Sequence, residues 1–266
     1  FQPLLVFLPQ IRFSKKSCQK CLFGQGCQKK QNKITFVLSG RPQFCWRPLK
    51  FYNALLTAIT YIFKRAFMIR SFLLIGQSNM AGRGRLDEAS ALNTKNIVTL
   101  RNGRWQGLFR PVNPDRPFSG TNLGESFASR YAEKYGVTVG LICCADGGTS
   151  LNQWQPGSLL FDNAVYQARL AQRTSTIAGV LWHQGEADCS PELYATYRQR
   201  FLPIMQALRK ELDLYDVPFL LGGLGYYLKD CKLSDNLKNY AHVNSALMQI
   251  ANEEEKTGFV SAAGLT

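Results

Sequence analysis

Residues 72–82 read FLLIGQSNMAG, and this stretch decides the fold. Its first four residues form a short apolar run, which is typical of a buried strand in a parallel sheet. The run stops at Gly-Gln-Ser-Asn, where the backbone must turn sharply, so Ser78 is expected at the carboxyl end of the strand. In open α/β sheets this is the edge where ligands bind. The turn differs from a Gly-x-Ser-x-Gly elbow, because Met80 stands in place of the second glycine.

Two further stretches repeat this arrangement of an apolar strand followed by a polar turn. Residues 137–150 read VTVGLICCADGGTS and contain paired glycines after the apolar run. Residues 178–188 read AGVLWHQGEAD and end in an imidazole, an amide and two carboxylates. The three strand ends therefore supply a hydroxyl, glycine backbone amides and an acid. These are the components of acyl transfer, namely a nucleophile, oxyanion donors and an orienting carboxylate.

The strings GQSNMAG (76–82), GGTS (147–150) and WHQGE (182–186) together resemble the SGNH-hydrolase superfamily. Within it they are most similar to the sialate O-acetylesterase-like and acetylxylan-esterase-like branch, carbohydrate esterase family 6. The resemblance covers residues 68–266 and is much more specific for the family than for a sugar. It implies a serine-dependent acetylesterase that acts on an acetylated carbohydrate and needs no metal or organic cofactor. The alternative is a non-catalytic carbohydrate-binding relative on the same fold.

The resemblance also implies roles for residues at the three strand ends. Ser78 is the nucleophile, and its own backbone N–H donates into the oxyanion hole. The backbone N–H of Gly148 and the side-chain amide of Gln184 are the other donors, and Glu186 is the acid that orients a base. Asp188 competes with Glu186 for that role but is better suited to cap the following segment. The residues expected to contact the substrate are Gln77, Asn79 and His183.

One expected residue has no match in the chain. The family carries its catalytic histidine in an Asp-x-x-His block soon after the last strand, whereas this chain has two histidines, His183 and His242, outside any such block. His242 lies off the apolar stripe of its predicted helix, which favours an exposed side chain. Residues 261–266 resemble the approach to the block. We therefore expect either truncation at the C-terminus, with the base beyond Thr266, or a non-catalytic relative.

Charge divides the chain near residue 68. Residues 1–67 hold twelve of the 32 Lys and Arg and none of the 18 Asp and Glu, whereas a folded domain normally mixes both signs. We therefore expect an esterase domain at 68–266, preceded by a basic segment outside that domain.

Met68 is the first methionine, and translation starting there would give a cytoplasmic protein. The other interpretation is a basic arm for nucleic acid or a membrane surface. Its basic residues form no recognisable nucleic-acid motif, so no nucleic-acid partner is predicted.

No membrane span and no metal site are predicted. The apolar segment 53–63 is shorter than the ~20 residues needed to cross a bilayer, and no small-x-small cleavage site follows it. The cysteines at 18, 21, 27 and 45 match no standard zinc spacing. Cys143 and Cys144 are adjacent in a predicted strand, so their side chains should point to opposite faces as free thiols.

From residue 68 onward strands alternate with helices, which predicts a parallel sheet with helices on both faces. The fold class is therefore a three-layer α/β/α sandwich of the SGNH or flavodoxin-like kind. The expected strands are 72–75, 138–145, 179–182, 218–222 and 259–262, and the expected helices are 123–135, 191–212 and 235–254. Residues 84–120 contain several Pro and Gly and are expected to form a long loop, whose Arg and aromatic side chains are assigned to exposed surface in preference to a sugar site.

Overall fold

A seven-stranded sheet forms the centre of the computed structural model, which describes residues 68–265. The strands are β1 (Ile69–Gly76), β2 (Ile97–Arg101), β3 (Arg104–Gly107), β4 (Val139–Cys143), β5 (Ser175–His183), β6 (Phe219–Gly222) and β7 (Thr257–Val260). Their order across the sheet is β3-β2-β4-β1-β5-β6-β7, and all neighbours are parallel except the β2–β3 pair. The predicted α/β class is confirmed.

Six α-helices accompany the sheet within the described residues. They are α1 (Ser78–Ala81), α2 (Leu123–Tyr135), α3 (Leu159–Gln172), α4 (Pro191–Tyr194), α5 (Tyr197–Leu212) and α6 (Tyr240–Glu253). The prediction for α2 is confirmed to the residue. The single helix expected over 191–212 is divided, because Thr196 leaves the helical region at φ −111° and ψ 10°. The first part of the helix expected over 235–254 is a 3₁₀ turn, Asp235–Asn239.

Side chains of β1 alternate between two apolar layers, because successive residues of a strand point to opposite faces. Leu73 and Ile75 belong to the larger layer, which they share with residues of α3, α5 and α6. Phe72 belongs to the smaller layer together with residues of α2. Cys144 is buried in the larger layer and Cys143 packs against the smaller one, so the predicted divergence of these two free thiols is confirmed. Burial raises the pKa of Cys143 to about 12.

Two further sequence expectations require correction. The long loop expected over 84–120 contains the β2–β3 hairpin, in which both residues of the Asn102-Gly103 turn have positive φ, at 49° and 74°. This is the backbone that a two-residue hairpin turn requires, and the Asn-Gly pair is its usual sequence. The last strand is Thr257–Val260, two residues earlier than expected, because its register is set by pairing with β6.

Gly76 ends β1 and directs the chain toward Ser78. Its φ is +139°, and a Cβ placed there would lie 2.1 Å from the carbonyl oxygen of His183. We expect Gly76→Ala to lower the free energy of unfolding by roughly 2 kcal/mol or more in urea denaturation, because it adds backbone strain and a steric clash. Gly107→Ala is the matched control, since no atom lies within 4 Å of a Cβ placed there. Equal losses in the two variants would contradict this account.

No helix within residues 68–265 is long and apolar enough to cross a membrane. In the same part of the chain, no three His, Cys, Asp or Glu side chains cluster closely enough to hold a metal ion. The basic segment, the apolar stretch 53–63 and the four N-terminal cysteines lie outside the described residues. The expectations about them therefore stay predictions.

Candidate active site

The three polar turns lie side by side at the carboxyl edge of the sheet. β1 is flanked by β4 on one side and β5 on the other, and all three run in the same direction. Beyond the strands, Asp146 N donates to Gly76 O at 3.1 Å, and Gln77 N donates to His183 O at 3.0 Å. The turn that carries Ser78 is therefore fixed on both sides by the other two turns.

Ser78 is the first residue of α1 and is half-buried. Within the described residues its hydroxyl and its backbone N–H form no hydrogen bond, and a free N–H is expected in the first turn of a helix. The backbone N–H of Gly148 likewise has no acceptor in this part of the chain. Gly148 is exposed with φ +79°, and no atom lies within 4 Å of a Cβ placed there. This edge therefore carries one hydroxyl and two N–H donors that have no hydrogen-bond partner within the described residues.

Glu186 lies beside the turn that carries Ser78. Asn79 Nδ2 donates to Glu186 Oε1, whereas Glu186 Oε2 is buried and has no partner within the described residues. Tyr227 is close to both side chains. Burial raises the pKa of the Tyr227 hydroxyl, the Glu186 carboxylate raises it further, and a hydrogen bond with Asn79 partly opposes both effects. Glu186 thus keeps one oxygen available for an N–H donor.

Gln77 faces the interior, and the structure does not present its side chain to a ligand. It is 3% exposed, and its Oε1 accepts hydrogen bonds from Gly185 N at 3.2 Å and Ala187 N at 3.3 Å. These bonds join the turn after β1 to the turn after β5. The Gln77 side chain therefore connects two turns by hydrogen bonds, and its expected contact with substrate stays a prediction.

Gln184 is fully buried, which differs from the expectation for an oxyanion donor. Its Nε2 donates to Thr149 O at 3.1 Å and to the carboxylate of Asp188, and its Oε1 accepts from Tyr197 Oη at 3.0 Å. Both amide hydrogens are used in this arrangement, so Gln184 has no N–H to offer a substrate oxygen. The assignment of Gln184 as third donor would require its side chain to rotate, and it stays a prediction.

Asp188 belongs to a buried network that the sequence analysis did not identify. Its carboxylate is fully buried and accepts from Leu151 N at 3.0 Å and from Arg200 Nη1 at 2.7 Å, besides Gln184. Asp188 therefore caps the 3₁₀ turn Leu151–Trp154, which follows β4, rather than the segment after itself. Gln184 lies four residues before Asp188, but Arg200 and Leu151 are 12 and 37 residues away, so no local pattern could have revealed these two partners.

The two histidines occupy different environments. His183 is half-buried, and its Nδ1 lies 3.2 Å from Gly222 O. Because a carbonyl oxygen can only accept, Nδ1 carries the proton and Nε2 of the neutral ring is left with a lone pair. The His183 side chain lines a cavity of about 300 Å³. His242 is exposed and stacks on Tyr194 with ring centroids 4.3 Å apart. Within the described residues neither histidine is hydrogen-bonded to Ser78.

Comparison with known proteins identifies relatives of this chain. Residues 69–266 match a family model described as carbohydrate esterase, sialic acid-specific acetylesterase. A probable carbohydrate esterase of Arabidopsis thaliana is 28% identical over 206 residues, which cover 65% of this chain and 78% of the relative. The X-ray structure of the Arabidopsis protein has a TM-score of 0.64 at 26% identity, covering 74% of this chain and 87% of that one.

Two further solved structures share the fold at lower identity. NanS has a TM-score of 0.59 at 19% identity, covering 73% of this chain and 77% of NanS. A carbohydrate acetylesterase from Xanthomonas citri has a TM-score of 0.53 at 21% identity, covering 72% of this chain and 49% of that protein. At this level of identity the two structures show a shared α/β fold. Because the family model extends over the whole sheet and all three turns, the chain belongs to the sialic acid-specific acetylesterase family of carbohydrate esterases.

Proposed function

We propose that the protein hydrolyses O-acetyl esters on a carbohydrate and that Ser78 is the nucleophile. Membership of a carbohydrate esterase family supports the class of reaction. The single observation that carries the mechanism concerns three groups without a hydrogen-bond partner within the described residues, namely the Ser78 hydroxyl and the backbone N–H groups of Ser78 and Gly148, on two turns that the Asp146 N–Gly76 O hydrogen bond joins. Such donors stabilise the negative charge that develops on a carbonyl oxygen during acyl transfer.

The proposed reaction has two halves. Ser78 Oγ attacks the acetyl carbonyl, and the oxyanion of the tetrahedral intermediate accepts hydrogen bonds from Ser78 N and Gly148 N. The sugar hydroxyl leaves with a proton, which gives an acetyl-serine. Water then attacks this ester, acetate leaves, and the Ser78 hydroxyl is regenerated. A base must take the Ser78 proton in the first half and return a proton to the sugar oxygen.

Glu186 is proposed to orient that base. Its buried, unpartnered Oε2 can accept the Nδ1–H of an imidazolium and stabilise the positive charge formed there. His183 does not supply this contact, because its Nδ1–H is directed to Gly222 O, and neither does His242, which is exposed and stacks on Tyr194. We therefore propose that the base is a histidine outside residues 1–266.

The base assignment predicts that free imidazole will accelerate turnover by the 266-residue chain. A positioned base contributes roughly 10²–10⁴-fold, so without it the chain should hydrolyse p-nitrophenyl acetate slowly. Imidazole that diffuses to Ser78 should restore part of that factor. Initial rates are measured with and without imidazole, and the rate of Ser78→Ala is subtracted as the background of imidazole itself.

His183→Ala provides the competing test. If His183 were the base, this variant would lose nearly all Ser78-dependent turnover, and imidazole would accelerate the variant but not the wild type. That pattern would overturn our assignment. We expect instead that imidazole accelerates both proteins to a similar degree.

A carbohydrate-binding protein without catalysis is the second candidate. It is favoured by one observation, namely that neither described histidine is hydrogen-bonded to Ser78. Such a protein would bind acetylated xylo-oligosaccharides, yet it would release no acetate from them even with imidazole present. Acetate release that depends on Ser78 would exclude it.

A further inference from the structure

We propose that Arg83, Asp115 and Arg116 are positioning residues that orient the Gly147–Gly148 peptide so that the Gly148 N–H faces the reacting ester. This inference rests on the proposed function, because it assigns a purpose to the turn that carries the oxyanion donor. The three side chains come from the segment between α1 and α2. Arg83 lies at its start, and Asp115 and Arg116 lie near its end. They are called the turn clamp below.

Asp115 is the centre of the turn clamp. Its side chain is 3% exposed, and its carboxylate accepts from Arg83 Nη1 at 3.1 Å and Nη2 at 2.8 Å, and from Ser119 Oγ at 2.6 Å. The fourth donor is Gly147 N at 2.9 Å. Burial raises the pKa of Asp115, but these hydrogen bonds outweigh it and hold the pKa below its usual range. The carboxylate is therefore ionised at neutral pH, and it fixes the N–H side of Gly147.

Arg116 holds the carbonyl group of Gly147. Its Nη2 donates to Gly147 O at 2.9 Å and to Asp146 Oδ1 at 2.8 Å. The carbonyl of Gly147 and the N–H of Gly148 belong to one planar trans peptide, so they point in opposite directions. Holding the carbonyl toward Arg116 therefore directs the Gly148 N–H away from it. That N–H is the proposed oxyanion donor.

Arg83 connects the turn clamp to the nucleophile. Besides Asp115, its Nη1 donates at 2.8 Å to the carbonyl of Gly82, which ends the helix that begins at Ser78. The same packing explains why residue 147 is glycine. A Cβ there would lie 2.3 Å from Arg83 Nη2 and 2.9 Å from Asp115 Oδ2. One partly buried ion pair thus sets the oxyanion turn and the nucleophile turn relative to each other.

Asp115→Ala tests the turn clamp by kinetics on the full chain, with p-nitrophenyl acetate as substrate and imidazole present. Removing a single oxyanion donor costs about 10²–10³-fold in kcat, so we expect kcat to fall by about 10²-fold. KM should stay within about twofold, because the donor acts mainly on the transition state. Asp115→Asn keeps an oxygen that can accept from Gly147 N. Its kcat should therefore be at least about tenfold higher than that of Asp115→Ala.

Glu125→Ala is the matched control. The Arg110–Glu125 pair has side-chain exposures of 26% and 2%, close to the 23% and 3% of Arg83–Asp115, but within the described residues neither side chain is hydrogen-bonded to the Gly147 turn. Both alanine variants should lower the midpoint of thermal unfolding. We expect kcat to fall in Asp115→Ala and to stay within about twofold of wild type in Glu125→Ala. An equal fall of kcat in both variants would overturn the proposal.

Amide hydrogen exchange tests the same proposal without turnover. The Gly147 N–H should exchange slowly in wild type and at least about tenfold faster in Asp115→Ala, while Glu125→Ala leaves it unchanged. If wild type showed no Ser78-dependent turnover, the proposed function would fail, yet this measurement would still decide whether Asp115 holds the turn. An unchanged exchange rate for Gly147 in Asp115→Ala would overturn the turn clamp, whatever the activity.

Discussion

Ser78→Ala is expected to remove the esterase activity, with a fall in kcat of about 10³-fold or more when imidazole is present. Without the hydroxyl no acetyl-serine can form, and the remaining backbone donors can only polarise the ester for direct attack by water. The measurement is p-nitrophenyl acetate hydrolysis, followed by acetate release from an acetylated xylo-oligosaccharide.

Ser126→Ala is the control for that substitution. Ser126 is an exposed serine of α2, and its hydroxyl donates to Leu123 O within its own helix. Its loss should leave both kcat and KM near the wild-type values. Comparable activity in Ser78→Ala and Ser126→Ala would show that another group performs the chemistry.

Asp188→Ala is expected to cause the largest loss of stability. The fully buried carboxylate accepts from Arg200, Gln184 and Leu151 N, and the Arg200 side chain itself is 18% exposed. Removing one partner of a buried ion pair costs about 3–5 kcal/mol, because the other charge stays behind without compensation. We expect the free energy of unfolding, measured in urea at pH 7, to fall by about 3 kcal/mol. This is the lower end of the range, because Arg200 retains some access to water.

Asp162→Ala is the control for the loss of a carboxylate outside a buried network. Asp162 is exposed in the first turn of α3, and its carboxylate forms no hydrogen bond within the described residues. Its removal should cost less than about 1 kcal/mol, mainly through the helix dipole. A similarly small loss for Asp188→Ala would mean that the buried network contributes little to stability.

Local patterns were sufficient to predict the central strands and one helix. The apolar runs before the three polar turns correspond to β1, β4 and β5, because buried parallel strands need apolar side chains on both faces. At the start of helix α2, Glu125 Oε1 accepts from Asn122 N at 3.2 Å, and the helix ends at Gly136 in the left-handed region, at φ 62°. Residues next to each end of α2 therefore determine where the helix begins and ends.

The orientation of polar side chains in the turns could not be predicted in this way. A glutamine after a strand looks the same in sequence whether it faces a ligand or the interior. For Gln184 the partners that decide the matter are Thr149 and Tyr197, which come from other elements. Arg83 and Asp115 are likewise 32 positions apart, and the fold alone brings them to the same turn.

The role of Ser78 as nucleophile is tested most directly by mapping the residue that forms a covalent adduct with a fluorophosphonate. This reagent phosphonylates an activated serine, and its adduct mimics the tetrahedral intermediate held by the oxyanion donors. The full chain is treated with the reagent in the presence of imidazole, digested and analysed by peptide mass spectrometry. We expect one adduct, on Ser78, that is absent from Ser78→Ala. An unlabelled Ser78 in the folded protein, or an adduct on another residue, would contradict this role.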